Sequence, residues 1–172
     1  MVIWLTGLSG AGKTTLCRLL QNKLKSNGYS VEWFDGDRIR KELKIASDFS
    51  RKCIIRNNFE VVNRIKQVKD KFDFILISLI SPFQEVRENA KKTFNENYFE
   101  IYVKCDKSTL IKRDTKGLYK KALCGEIDNL IGFSDKVPYE EPLDPDLTLE
   151  TNLISPDQSV EIVYYAIMSR LK

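Results

Sequence analysis

Apolar residues along the chain fall into short continuous runs separated by stretches of helical period. Val2-Ile3-Trp4-Leu5-Thr6 reads as a first strand, and Leu16-Cys17-Arg18-Leu19-Leu20 lies on a helix that fades near Ser26-Asn27-Gly28. A second strand follows at Val31-Glu32-Trp33-Phe34. Residues 51–69 have helical period with basic residues at Arg51, Lys52, Arg56, Arg64 and Lys66, most of which a solvated face explains. Residues 72–80 are almost unbroken apolar sequence, as expected of a central parallel strand covered on both sides. A helix over 85–94, a strand at Phe99-Glu100-Ile101-Tyr102-Val103, a short strand within 146–150, and a helix from Ser155-Pro156 to Lys172 complete the pattern.

Strands alternating with helices predict an α/β fold with a parallel central sheet wrapped by helices in three layers. Residues 105–145 break the rhythm, being charged and rich in turn residues. Some forty residues of that character inside a compact α/β domain predict a functional lid. The whole chain, residues 1–172, reads as one domain, and no internal repeat or linker interrupts it.

Between the first strand and first helix stands Gly7-Leu8-Ser9-Gly10-Ala11-Gly12-Lys13-Thr14, the pattern G-x-x-x-x-G-K-[ST] in the strand–loop–helix setting it requires. Loop amides and a helix N-terminus then converge on phosphate oxygens. Gly10, Ala11, Gly12, Lys13, Thr14 and Thr15 are the expected ATP contacts, with Lys13 on the β- and γ-phosphates and the Thr14 hydroxyl on Mg²⁺. The architecture is therefore that of a P-loop NTPase or kinase. Asp35-Gly36-Asp37 follows the second strand at the sheet edge where such folds bind ligands, although a turn with a helix N-cap explains the same residues. Ser81 precedes Pro82 at another strand end, where its hydroxyl suits a structural cap as well as a site of modification.

Composition narrows the chemistry. Histidine is absent, which excludes imidazole bases and imidazole metal sites. A net charge of +4, from 28 basic and 24 acidic residues dispersed along the chain, suits a small anionic ligand and gives no nucleic-acid footprint. No apolar segment is long enough to predict a membrane span. The four cysteines form no C-x-x-C pair and read as reduced thiols of a cytoplasmic protein, Cys17 and Cys105 as small core residues.

Taken together, these motifs resemble the adenylylsulfate (APS) kinase family, ATP-dependent enzymes that phosphorylate the ribose 3′-hydroxyl of a sulfated nucleotide. The resemblance rests on Gly7 to Thr15, Asp35-Gly36-Asp37 with Arg40, Phe49-Ser50, Ile80-Ser81-Pro82-Phe83, Arg113-Asp114-x-Lys116-Gly117-Leu118-Tyr119-Lys120-Lys121-Ala122, and Tyr139-Glu140-x-Pro142. It implies ATP with Mg²⁺ as cofactors, a small-molecule nucleotide acceptor and a homodimer. By the same resemblance Asp37 takes or orients the acceptor proton and Lys13 is its catalytic counterpart on the donor. Arg113 meets the donor base, and Asp35, Arg40, Phe49, Arg51, Ile54, Ile80, Ser81, Lys116, Gly117 and Leu118 surround the acceptor.

The departures from the family pattern cluster on that acceptor. Ile54 stands where the family carries asparagine, Asn57 replaces an arginine, and Leu130 replaces an aromatic. The chain also opens at its first strand, without the N-terminal extension common in the family. Both features favour a paralogue that phosphorylates cytidine diphosphoramidate for capsular polysaccharide modification. A true adenylylsulfate kinase and an ATP-gated binding module are the alternatives.

Overall fold

The computed structural model describes residues 1–42 and 50–171. Five strands, β1 (Val2–Thr6), β2 (Val31–Asp35), β3 (Phe74–Ser78), β4 (Tyr98–Lys104) and β5 (Leu147–Glu150), form one sheet in the order β2-β3-β1-β4-β5. Every pairing is parallel, with Leu5 beside Ser78 on one side and beside Ile101 on the other. The centre of the sheet is therefore β1. The 72–80 run supplies the interior strand next to it, buried at all five of its residues.

Period-two alternation divides the strands between two apolar layers. Ile3, Leu5, Phe74, Leu76, Ile101 and Val103 face α1 (Lys13–Ser26) and α7 (Pro156–Arg170), packing against Leu20, Leu24, Val163 and Ile167. Val2, Trp4, Ile75, Ile77 and Tyr98 face the other way, onto Val61, Val62 and Ile65 of α3 (Arg51–Val68) and Ala90 and Phe94 of α4 (Gln84–Phe94). Ser50 caps α3, accepting from the Cys53 N–H, and Ser155 with Gln158 makes a capping box on α7. The carboxyl ends of all five strands share one edge, so the segments after β1, β2, β3, β4 and β5 converge there.

Residues 105–145 hold more order than their composition predicts. They contain α5 (Lys107–Arg113) and α6 (Leu118–Leu123), and they bury Leu110, Tyr119, Leu130 and Val137. The Tyr119 hydroxyl donates to the Ser9 carbonyl at 2.7 Å, tying α6 to the glycine loop. Helices of seven and six residues are too short to print a period on the sequence.

One ion pair is buried inside the second layer. Arg87 of α4 is 1% exposed and stands 3.1 Å from Glu100 of β4, while donating at 2.7 Å to the carbonyls of Ser81 and Glu140. Burial pushes the Glu100 carboxyl up to about 7 in spite of Arg87 beside it. A carboxyl raised above its unfolded value of 4.5 keeps its proton in the native state only, so stability falls as pH climbs from about 4.5 to about 7. In Glu100→Gln this decline is expected to flatten by about 1–3 kcal/mol over that window, read from unfolding midpoints. A slope equal to that of the parent would contradict the assignment.

Candidate active site

The glycine loop is shaped by contacts only glycine permits. Gly7 has φ 149°, and a Cβ there would lie 2.3 Å from the Val103 carbonyl oxygen of the neighbouring strand. Gly12 has φ 103° and precedes α1 with no side-chain cap, which leaves the first amides of the helix for a ligand. The Lys13 ammonium folds back on the loop, donating to the carbonyls of Gly7 at 2.7 Å and Leu8 at 2.8 Å. Burial, reinforced by the nearby Lys116 cation, pulls Lys13 down to about 7, with Asp37 and Asp35 opposing.

A cavity of about 600 Å³ opens above the loop, lined by Gly10, Gly12, Lys13, Thr14 and Thr15 at its floor. Ala11 is buried behind it, and its carbonyl accepts from the Thr151 hydroxyl at 2.8 Å. Lys13, Arg40, Arg113 and Lys116 bring four cations to this cavity against the carboxylates of Asp35 and Asp37. That balance suits a polyphosphate. At its far end Arg113 is held by the Thr151 carbonyl at 2.6 Å, with Ile154 and Pro156 completing the wall. No residue pattern marks Thr151, Ile154 or Pro156. Their one signal is their place just after the last strand, on the shared edge.

Asp35 lines this first cavity and not the acceptor side expected for it. One carboxylate oxygen accepts from the N–H groups of Asp37 and Arg38 at 3.0 and 3.3 Å, so the N-cap reading of this turn is correct. The other accepts from the Thr14 hydroxyl at 3.2 Å and from Ser78 at 2.9 Å, which in turn accepts from the Trp33 indole at 3.0 Å. A hydroxyl and a fixed carboxylate beside a phosphate loop are the hard oxygen donors that Mg²⁺ accepts, so the residues fit that ion.

A second cavity of about 620 Å³ adjoins the first, and the two share Asp37, Arg40, Ile80 and Lys116. Asp37 sits between cations, accepting from Arg40 on its own helix, α2 (Gly36–Glu42), and from Lys116 across the cavity. Burial opposes its ionisation, but Lys116 and Arg40 overcome that and hold the carboxyl below its usual value. Ile54, Ser81 and Leu118 line the second cavity. The Ser81 hydroxyl is engaged within the protein, accepting from Trp4 Nε1 at 3.0 Å and donating to Asn58 at 2.9 Å, which agrees with a structural role. Gly117 (φ 67°) turns the chain between Lys116 and Leu118.

Arg51 lines neither cavity. Its guanidinium bridges Glu85 at 2.6 Å and Glu140 at 3.1 Å and lies 4.0 Å above the Phe83 ring. Phe49 lies outside the described residues. Cys17 is core, whereas Cys105 is only half-buried, its sulfur 3.6 Å from Arg113. No helix among the described residues is long and apolar enough to cross a membrane.

The family model described as adenylylsulphate kinase matches residues 1–150. A probable adenylyl-sulfate kinase of Pyrococcus abyssi is 44% identical over 161 residues, 94% of this chain and 91% of the relative. One from Archaeoglobus fulgidus is 42% identical over 151 residues, 88% of this chain and 96% of the relative. Among solved structures, the Mycobacterium tuberculosis APS kinase in complex with AMPPNP and APS superposes with a TM-score of 0.90 at 32% identity, covering 97% of this chain and 96% of that one. The chain belongs to the adenylylsulfate kinase family and is an ATP- and Mg²⁺-dependent kinase acting on a nucleotide hydroxyl.

Proposed function

We propose that the chain is an adenylyl-sulfate kinase, transferring the γ-phosphoryl group of ATP to the ribose 3′-hydroxyl of adenylyl sulfate. The observation that carries this reading is the meeting of the two cavities on Asp37, with a cationic phosphate cradle on one side and a largely apolar nucleotide-sized space on the other. The names of the relatives, and the pair of ligands bound by the mycobacterial kinase, support adenylyl sulfate as the acceptor. Cytidine diphosphoramidate, expected from Ile54, Asn57 and Leu130, has no such support and gives way.

In this reading the loop amides and Lys13 hold the donor phosphates, and Arg113 borders the donor base. Thr14 and Asp35 would hold Mg²⁺, which neutralises charge on the phosphates when bound. Asp37 takes the hydroxyl proton late in a loose transition state, a task within the reach of an ordinary carboxylate. Arg40 and Lys116 leave Asp37 to meet the transferring group and the anionic end of the acceptor, and the 105–145 segment, which carries Lys116, acts as a lid over both substrates. Arg51 stands outside both cavities and ties Glu85 of α4 to Glu140.

ADP release with adenylyl sulfate is expected to exceed that with cytidine diphosphoramidate by orders of magnitude at matched concentrations. The reverse order would make Ile54, Asn57 and Leu130 a change of specificity, and no turnover of either would leave the ATP-gated binding module. A further result follows from Lys13. Phosphates draw it back to the charged form, so ATP binding at about pH 8 takes up as much as about one proton and weakens as pH rises further. Calorimetry in buffers of different ionisation enthalpy reads that uptake. Its persistence in Lys13→Met would refute the assignment.

A further inference from the structure

The cavity beyond Asp37 is polarised. Asp37, Arg40 and Lys116 stand where it joins the phosphate cavity, and the remainder is mainly apolar, with Ile39, Ile54, Val61, Leu130 and Ile131, and carries Asn57, Asn58, Ser81 and Asn129 as its polar groups. Helix α3 gives this wall one face, on which Ile54, Asn57, Asn58 and Val61 follow at helical spacing.

The two carboxamides on that face differ. Asn58 is 6% exposed and fully used, its Nδ2 donating to the Ile54 carbonyl at 2.8 Å and its Oδ1 accepting from Ser81 at 2.9 Å. Asn57 is half-buried, and its one contact among the described residues is a weak donation from Nδ2 to the Cys53 sulfur at 3.6 Å. That contact orients the amide and leaves Oδ1 without a partner among the described residues, on a mainly apolar wall. Such an acceptor is costly to desolvate unless the ligand brings an N–H to it.

We infer that Asn57 determines which base the acceptor carries, its Oδ1 accepting from the exocyclic amine of an amino-bearing base. This rests on the proposed function, which places the acceptor nucleotide in this cavity. Adenine offers such an amine, whereas hypoxanthine presents a carbonyl lone pair at the same position. A keto base sets two acceptors against each other and leaves both unpaired. The acceptor class is thus narrowed to amino-base nucleotides, and the discriminating group is one turn along α3 from Ile54.

Equilibrium binding tests this without requiring turnover. Calorimetry would compare adenylyl sulfate with its deaminated inosine analogue on the parent, Asn57→Leu and Asn57→Asp. The parent is expected to favour the amino base by at least about tenfold. Asn57→Leu brings the ratio near one, and Asn57→Asp, which keeps an acceptor oxygen, retains it. ATP affinity and melting temperature stay unchanged in both variants. A parent ratio near one, or an undiminished ratio in Asn57→Leu, overturns the inference alone. Tight binding of adenylyl sulfate without phosphorylation sinks the proposed function alone, and no binding of adenylyl sulfate to the parent sinks both.

Discussion

Asp37→Ala is expected to lower kcat by about two to four orders of magnitude while leaving the KM for ATP almost unchanged. The carboxylate stands at the junction of two cavities, where the proposed reaction places the acceptor hydroxyl, and it makes no contact with the amides of the glycine loop among the described residues. Its loss frees Arg40 and Lys116, both of which also line the donor cavity, and donor binding therefore has no reason to weaken. Asp37→Asn separates the two roles of the residue. It keeps size and a hydrogen-bonding oxygen but cannot take a proton, so a defect as deep as that of alanine assigns proton transfer, and a mild one assigns orientation only. Near-normal turnover in Asp37→Ala would remove the residue from the mechanism.

Arg87→Ala is expected to cost about 3–5 kcal/mol of stability, since it strips the buried Glu100 carboxyl and the Ser81 and Glu140 carbonyls of their shared partner and leaves a cavity behind. For a chain of this length that lowers the melting temperature by roughly 10–15 °C. The guanidinium also holds the Ser81 and Glu140 carbonyls, so its removal loosens the turn after β3 and the 138–142 segment that Glu140 pins to it through the Gln84 N–H at 2.6 Å. Arg87→Met combined with Glu100→Gln is expected to recover much of the loss, because no uncompensated charge stays buried. A cost below about 1 kcal/mol for the single variant would mean that water reaches Glu100 and that the pair is not sealed.

The phosphate loop and the strand edges were legible because their signals are local. A strand of five buried residues prints an unbroken apolar run, and the loop announces itself by the fixed spacing of Gly7, Gly12, Lys13 and Thr14 directly after that run. What depended on contacts between distant segments was not legible. Asp35 follows β2 and is expected around the acceptor, yet its hydrogen bonds to Thr14 and Ser78 draw it to the cavity above the glycine loop. Arg51 looks like an anion-binding group on a basic helix face, and only folding brings Glu85 and Glu140 to it. Tyr119 anchors α6 on Ser9 across 110 positions, a tie that no periodicity in a six-residue helix announces. Ile54, Asn57 and Leu130 do not by themselves specify an acceptor, because a missing polar group or aromatic shows which contact is absent and not which ligand is bound.

Transfer of label from γ-labelled ATP to adenylyl sulfate is the most direct measurement of the central claim. The account predicts one labelled nucleotide per ADP formed, with the label on the ribose 3′-oxygen and none on inorganic phosphate. Label appearing only as inorganic phosphate, or remaining in ATP while adenylyl sulfate is bound, would contradict it.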